Sequence, residues 1–274
     1  MLDPWLVLTL VDATIEETSG IDSSPWEKSS GEWVTERDVA IESMMKARLE
    51  PLIPGCRILG EEWATHDRMW PSWIGHGPVW VIDPIDGTAN YVTGVGPIAT
   101  MVGLVMDGSP SLSCIRLHNG PALIADSSSV MVVDQPSQSA ARRARSRGMV
   151  SSRFLPSAVA ERFVGALSDD FDILEGSGCA GSDYLELVSG TVDFLIYERV
   201  LPWDHVPGAY AATVWGASAR MGDGSLYQAQ PEGVGLVVSR EEALTQRLLG
   251  LRRAALRAEP YGQGCPSRNV VDDS

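Results

Sequence analysis

Asp83 and Asp86 are the residues of this chain whose type and spacing most invite chemistry. They stand in the block Asp83-Pro84-Ile85-Asp86-Gly87-Thr88-Ala89-Asn90, directly after the apolar run Val79-Trp80-Val81-Ile82. Two carboxylates held that close repel each other unless a proton or a cation lies between them. Their hard oxygens suit Mg²⁺. Pro84 fixes one backbone angle between them, and Gly87 permits a tight turn. Backbone N–H groups exposed at Gly87 and Thr88 would cradle a phosphate. Taken alone, the same block also reads as an Asp-rich turn followed by a helix cap.

Two further acidic groups shift the balance. Gly60-Glu61-Glu62 follows the short run Arg57-Ile58-Leu59, and Trp203-Asp204-His205 lies far downstream. Carboxylates from three separate segment ends can converge at one edge of a fold. Phosphoryl chemistry assisted by two ions about 4 Å apart needs that arrangement.

The elements that must position these groups follow from periodicity and turn residues. A helix is predicted over 4–18, beginning at Pro4, then a loop rich in Ser, Gly and Pro over 19–33 that holds Lys28. Thr35 reads as the cap of a second helix running to residue 50, with Asp38 three positions on. Residues 57–60 and 79–82 are predicted strands, the second buried on both faces. Strands over 99–106 and 113–117 are joined by the Asp107-Gly108 turn, and 130–133 is a further strand. The polar stretch 136–148 divides the chain into an α+β half, 1–135, and an α/β half, 136–274. In the second half strands are expected at 149–151, 194–197 and 234–238. Helices are expected at 156–167, 180–190, 207–215 and 240–257. Residues 258–274 read as a frayed tail.

With these blocks in order, the chain resembles the inositol monophosphatase family. Gly60-Glu61-Glu62, the stretch 79–91 (VWVIDPIDGTANY) and the stretch 202–217 (PWDHVPGAYAATVWGA) look like that family's three signatures. The stretches 33–38 and 178–190 resemble two more of its segments. The resemblance implies a layered αβαβα sandwich, with the site between an α+β half and an α/β half. It implies a Mg²⁺-dependent, lithium-sensitive phosphomonoesterase using two to three ions. Glu61, Asp83, the carbonyl of Ile85, Asp86 and Asp204 match the family's metal ligands. Gly87 and Thr88 match its phosphate-binding backbone. Thr88 and Asp38 match the pair that orients and deprotonates the attacking water, with Glu61 beside them. Asp86 (through its second carboxylate oxygen), Gly178, Ala180 and Glu198 match positions that touch the alcohol, and His205 is a further candidate there or a support for Asp204. The segment between Glu198 and Trp203 is one residue shorter than is typical, and the stretch 117–135 lacks the usual hairpin.

Inositol 1-phosphate is the substrate the resemblance favours. Histidinol phosphate, fructose bisphosphate, a nucleotide 3′-phosphate or another sugar phosphate remain open, as does a non-catalytic protein-binding role. The family also implies a homodimer.

Composition bounds the rest. The 274 residues, 44% hydrophobic and 21% charged, suit a globular protein. A net charge of -15 opposes binding to nucleic acid and to anionic membranes. An anionic substrate then needs cations between it and the protein. Cys56, Cys114, Cys179 and Cys265 are scattered without a CxxC pair, so free thiols in a reducing cytoplasm are expected. The apolar run near the N-terminus is too short to span a bilayer and lacks a basic lead. Arg142, Arg143, Arg145 and Arg147 form a basic cluster that reads as a solvated face or an anion-attracting arm. Trp80 and Trp203 are expected to pack beside the ligand blocks.

Overall fold

The computed structural model describes residues 2–21, 24–28, 32–64, 70–135 and 143–257. Helix α1 (Pro4–Glu17) starts where Asp3 accepts the N–H of Trp5 at 3.0 Å and Pro4 takes the first helical position. Strands β1 (Pro25–Glu27) and β2 (Trp33–Thr35) pair antiparallel, so the stretch read as a loop carries a small hairpin. Helix α2 (Glu36–Leu49) opens on a reciprocal capping box between Thr35 and Asp38.

The first sheet follows. Strand β3 (Arg57–Gly60) runs into the one-turn helix α3 (Glu61–Ala64), and β4 (Pro78–Asp86) leads to the short helix α4 (Thr88–Thr93). Strands β5 (Ala99–Met106) and β6 (Ser109–Leu117) are joined at Asp107 and Gly108, both with positive φ, as a two-residue hairpin turn requires. Strands β7 (Ala122–Ala125) and β8 (Val130–Val133) complete the order β3-β4-β5-β6-β7-β8. Strand β7 corrects the expectation that 117–135 lacks a hairpin. Its four residues pair with both β6 and β8, a run too short to separate from a loop by periodicity.

The second sheet has the order β10-β9-β11-β13-β12. It is built from β9 (Arg147–Ser151), helix α5 (Ser157–Ser168), β10 (Asp172–Glu175), helix α6 (Ala180–Val188), β11 (Phe194–Val200), helix α7 (Pro202–Trp215), β12 (Ser218–Met221), β13 (Gly233–Ser239) and helix α8 (Glu242–Arg257). Helix α7 begins five residues before the expected start. Pro202, rather than Pro207, occupies the first helical position, and Pro207 lies inside the helix. Asp204 therefore sits in the first turn, where the helix dipole favours a negative charge.

Side-chain alternation sorts the layers. Trp80 and Ile82 face Val7, Val11, Ile41 and Met45 of α1 and α2. Val79 and Val81 face Val206 of α7 on the other side of the same sheet. In β11, Leu195 and Tyr197 pack with Tyr184, Ala209 and Ala212 of α6 and α7, while Phe194 and Ile196 pack with Phe163, Leu248 and Leu249 of α5 and α8. The result is the αβαβα sandwich, with α6 and α7 shared between the sheets. Each buried aliphatic side chain contributes about 1.5–3 kcal/mol.

One irregularity matters for function. Ile82 pairs with Val102 and Asp83 with Met101, but Asp86 pairs with Ala99, so Pro84 and Ile85 together face only Thr100. This is a β-bulge. Pro84 has no N–H for the ladder, and its carbonyl accepts the Thr100 hydroxyl at 2.8 Å instead.

Among the described residues no helix is long and apolar enough to cross a membrane. Cys56, Cys114 and Cys179 are free thiols; Cys265, Arg142 and the tail from 258 lie outside the described residues. The other cluster arginines are fastened rather than forming an arm. Arg143 pairs with Asp193 at 3.6 Å, Arg145 donates to the carbonyl of Ser168 at 2.7 Å, and Arg147 pairs with Asp172 at 2.8 Å.

Candidate active site

Glu61 owes its position to a side chain on another element. The buried carboxylate of Glu42, on α2, accepts the backbone N–H groups of Glu62 at 2.8 Å and Trp63 at 2.9 Å. These are donors that the start of α3 would otherwise leave unpaired. A Cβ at residue 60 would lie 2.1 Å from the Glu42 carboxyl, so the position before Glu61 is glycine. Burial pushes the Glu42 carboxyl up to about 7.

The bulge in β4 turns Asp83 and Asp86 to the same cavity, although their spacing in a regular strand would put them on opposite faces. Gly87 follows with φ of 88°, a left-handed conformation that needs glycine, and starts α4. Asp204 arrives from the first turn of α7. Ligand oxygens of Glu61, Asp83 and Asp204 all lie within 4.8 Å of one another. Asp86 lines the same cavity, with its Oδ2 accepting the N–H of Gly181 at 2.6 Å and the thiol of Cys179 at 3.1 Å.

The electrostatics of this cluster are unfavourable without a cation. Burial, then the charge of Glu61, pushes the carboxyls of Asp83 and Asp204 well above the ordinary range. Burial raises Asp86 too. Oδ1 of Asp83 is buried with no hydrogen-bond partner among the described residues. A buried oxygen that bare costs about 1–3 kcal/mol unless something binds it. Lys28 supplies part of the answer. Its ammonium pairs with Glu61 and Glu62, each at 2.8 Å, and is held protonated. It is therefore a counter-charge to the cluster rather than a surface lysine.

Beside the carboxylates lies a second pair. The Thr88 hydroxyl donates to the carbonyl of Ile85 at 2.9 Å and reaches Oδ1 of Asp38 at 3.5 Å. Oδ2 of Asp38 accepts the N–H of Thr35 at 2.9 Å and also the Thr35 hydroxyl. Burial lifts the Asp38 carboxyl to about 6. Thr88 and Ile85 border, with the carboxylates, a cavity of about 620 Å³ that also takes in Gly178 and Ala180. Asn90 ties its two sides together, donating to the carbonyls of Pro97 at 2.8 Å and Ser177 at 3.0 Å.

Thus Glu61, Asp83, Ile85, Asp86, Gly87, Thr88, Gly178, Ala180 and Asp204 line one cavity, with Asp38 adjoining through Thr88. Three expectations fail. The carboxylate of Glu198 does not reach the cavity. It is buried on the opposite face of β11 in a bidentate pair with Arg252 of α8, because alternation sends Tyr197 and Arg199 inward instead. His205 borders the cavity but both ring nitrogens are engaged, one with the Tyr184 hydroxyl at 3.2 Å and one with the carbonyl of Arg199 at 3.1 Å. It is neither free for a substrate nor bonded to Asp204. The second oxygen of Asp86 is already held by Gly181 and Cys179. Trp203 does border the cavity, while Trp80 faces away toward α1 and α2. The sequence does not single out Glu42, Asn90, Cys179 or Arg199 as site residues. Only Arg199 had a readable signal, the period-two alternation from Leu195 and Tyr197.

Comparison with known proteins is consistent with this geometry. The sequence model described as the inositol monophosphatase family matches residues 8–257. A histidinol-phosphatase of Mycobacterium tuberculosis is 39% identical over 90 residues, 33% of this chain and 31% of its own length. An inositol-1-monophosphatase of Mycobacterium leprae is 28% identical over 231 residues, 79% of this chain and 76% of its own. The chain thus spans about a third of the first relative and about three quarters of the second. A solved structure described as an IMPase/NADP phosphatase complexed with Mg²⁺ and phosphate superposes with a TM-score of 0.75. It is 18% identical and is covered, like this chain, over 93% of its length.

Proposed function

The chain belongs to the inositol monophosphatase family, and from that premise we propose that it hydrolyses a small phosphate monoester, of the inositol 1-phosphate or sugar-phosphate kind, with Mg²⁺ as cofactor. One observation carries this reading. Glu61, Asp83 and Asp204, from segments far apart in sequence, bring oxygens within 4.8 Å of one another. The unpartnered buried oxygen of Asp83 and the all-carboxylate donor set fit a hard divalent ion. Glu61, Asp83, Asp86, Asp204 and the carbonyl of Ile85 would hold two to three such ions. When bound, they would neutralise phosphoryl charge and make water more acidic.

The chain's own residues supply the rest. Backbone N–H groups at Gly87 and Thr88 hold phosphate oxygens and orient the phosphorus. The Thr88 hydroxyl aligns the attacking water and relays its proton toward Asp38, whose carboxyl near 6 suits a base working close to neutrality. The water oxygen bonds to phosphorus as the bond to the alcohol oxygen breaks; the alkoxide takes a proton from a second water, and the hydroxide so formed takes up the proton that Asp38 releases. No covalent phosphoenzyme is needed. Gly178 and Ala180 border the space for the leaving alcohol. Glu61 serves as a ligand that also orients the water.

The site lies between an N-terminal half, 1–135, and a C-terminal half, 136–274. We further place the protein in the cytoplasm as a homodimer, on the expectation for its family. The test is phosphate release from inositol 1-phosphate, glycerol 2-phosphate, histidinol phosphate, fructose 1,6-bisphosphate and a nucleotide 3′-phosphate, each with and without Mg²⁺. Mg²⁺-dependent, lithium-sensitive release from at least one is expected. Absence of release from all five refutes the reading.

A further inference from the structure

The cavity wall contributed by β11 and the loop after β9 carries cations where a carboxylate was expected. Alternation along β11 buries Glu198 against Arg252 and turns Arg199 into the cavity. Arg153, in the loop after β9, lines the same cavity. Between them stands Phe154, 44% exposed. The guanidinium carbon of Arg153 lies 4.7 Å from its ring centroid and that of Arg199 lies 5.1 Å from it. Stacking on an aromatic ring uses the flat face of a guanidinium and leaves its edge N–H donors for planar oxyanions.

Those donors are only partly used. Arg199 gives Nη1 to Glu32, which leaves the remainder of its five N–H groups. Arg153 has no carboxylate within ion-pair distance among the described residues. Three carboxylates share this part of the cavity, Glu32, Asp183 and Glu175, of which Glu175 is exposed to solvent. Glu32 is committed to Arg199, and Asp183 nearby has its oxygens taken by the N–H of Ser177 at 3.1 Å and the hydroxyl of Tyr197 at 3.3 Å.

We propose that Arg153 and Arg199, braced on Phe154, form an anion subsite, and that the alcohol part of the substrate carries a second anionic group, a phosphoryl or a carboxylate, rather than an ammonium. The inference rests on the phosphatase reading of the cavity. It sets this chain apart from a relative acting on an amine-bearing alcohol, since two neighbouring guanidiniums repel an ammonium.

The test uses three non-hydrolysable probes of one chain length in the presence of Mg²⁺: butylphosphonate, 4-phosphonobutyrate and butane-1,4-bisphosphonate. Calorimetric titration should show the two doubly functional probes binding at least about tenfold more tightly than butylphosphonate, the loss expected for a charge-assisted hydrogen bond. Whichever of the two gains more identifies the second group as carboxylate or phosphoryl. The advantage should disappear in Arg153→Met and Arg199→Gln and persist in Glu32→Gln. That last variant separates an anion site from a mere tether of the β1–β2 hairpin to Arg199. Equal binding of all three probes, or an advantage that survives both arginine substitutions, overturns the subsite. The phosphatase reading is judged separately, by Mg²⁺-dependent hydrolysis of glycerol 2-phosphate.

Discussion

Glu42 accepts the backbone N–H of Glu62 at 2.8 Å, and through it a helix on the far side of the first sheet's edge sets the direction of Glu61. Its other oxygen accepts the N–H of Trp63, so both bonds fix one turn. Glu42→Ala should lower stability by about 1.5–3 kcal/mol, since bonds to a charged group are lost and two N–H donors are stranded. It should also weaken Mg²⁺ binding more than a distant substitution of equal cost in stability. Urea denaturation and Mg²⁺ titration followed by melting temperature check both. Unchanged Mg²⁺ affinity would limit Glu42 to a structural role.

Asp83→Asn should act in opposite directions with and without metal. In EDTA it removes a buried charge beside Glu61, Asp86 and Asp204 and should raise the melting temperature by a few degrees, about 1–2 kcal/mol. In Mg²⁺ it should abolish both the metal-induced rise and phosphate release. Retained Mg²⁺-dependent activity would refute the metal assignment.

Stability of the metal-free protein should rise as pH falls from 8 toward 5. Burial raises Glu62 to about 8, Glu42 to about 7 and Asp38 to about 6. The folded state therefore holds protons in this range that the unfolded chain releases, and folding gains as pH falls, by up to about 1.4 kcal/mol per unit for each group. Mg²⁺ competes with those protons, so its stabilisation should shrink from pH 8 to 5.5. Melting curves in EDTA and in Mg²⁺ at the two pH values decide it. An equal Mg²⁺ increment at both would contradict the cluster as the binding site.

His205 works in the opposite sense. Burial pushes it down to about 3, so the folded protein keeps it neutral while the unfolded chain protonates it below about 6.5. Its share of stability is present above 6.5 and is lost as pH falls toward 3. His205→Gln should lose less stability than the parent between pH 6 and 4, as measured by paired thermal melts. Parallel pH profiles would show that the ring does not carry this linkage.

Arg252→Met should cost about 3–5 kcal/mol, because it strands the buried carboxylate of Glu198. Glu198→Gln combined with Arg252→Met should recover much of that loss in urea denaturation. Neither change should alter the preference between singly and doubly anionic ligands, in contrast to Arg199. A double variant as unstable as the single one would mean the pair is not the source of the cost.

The ligand blocks were legible in the sequence because each is local: a short apolar run, then carboxylates and a glycine. The capping box at Thr35 and Asp38 was equally local. What depended on register was not legible. Glu198 and Arg199 differ by one position on β11, and that one position exchanges the faces of the sheet. The start of helix α7 is ambiguous in the sequence, since Pro202 and Pro207 give the same signal and only packing chooses between them. Glu42 could not be found because its partners are backbone groups twenty residues away. The arginines over 143–147 read as a solvated face, while their partners Asp172 and Asp193 lie in later segments.

The extra residue in β4 makes the interval between Asp83 and Asp86 a counted quantity. Without the bulge, regular pairing of these same residues would leave the two carboxylates on opposite sides of a wall, with every atom of both still present, and one residue inserted into β5 beside Thr100 would permit that pairing. The site is thus more vulnerable to a change in how this segment pairs with its neighbour than to most changes in its letters. A protein library that varies residues 84 and 85 freely but leaves β5 at its present length should retain members that bind Mg²⁺, whereas one that adds a residue to β5 beside Thr100 should contain none.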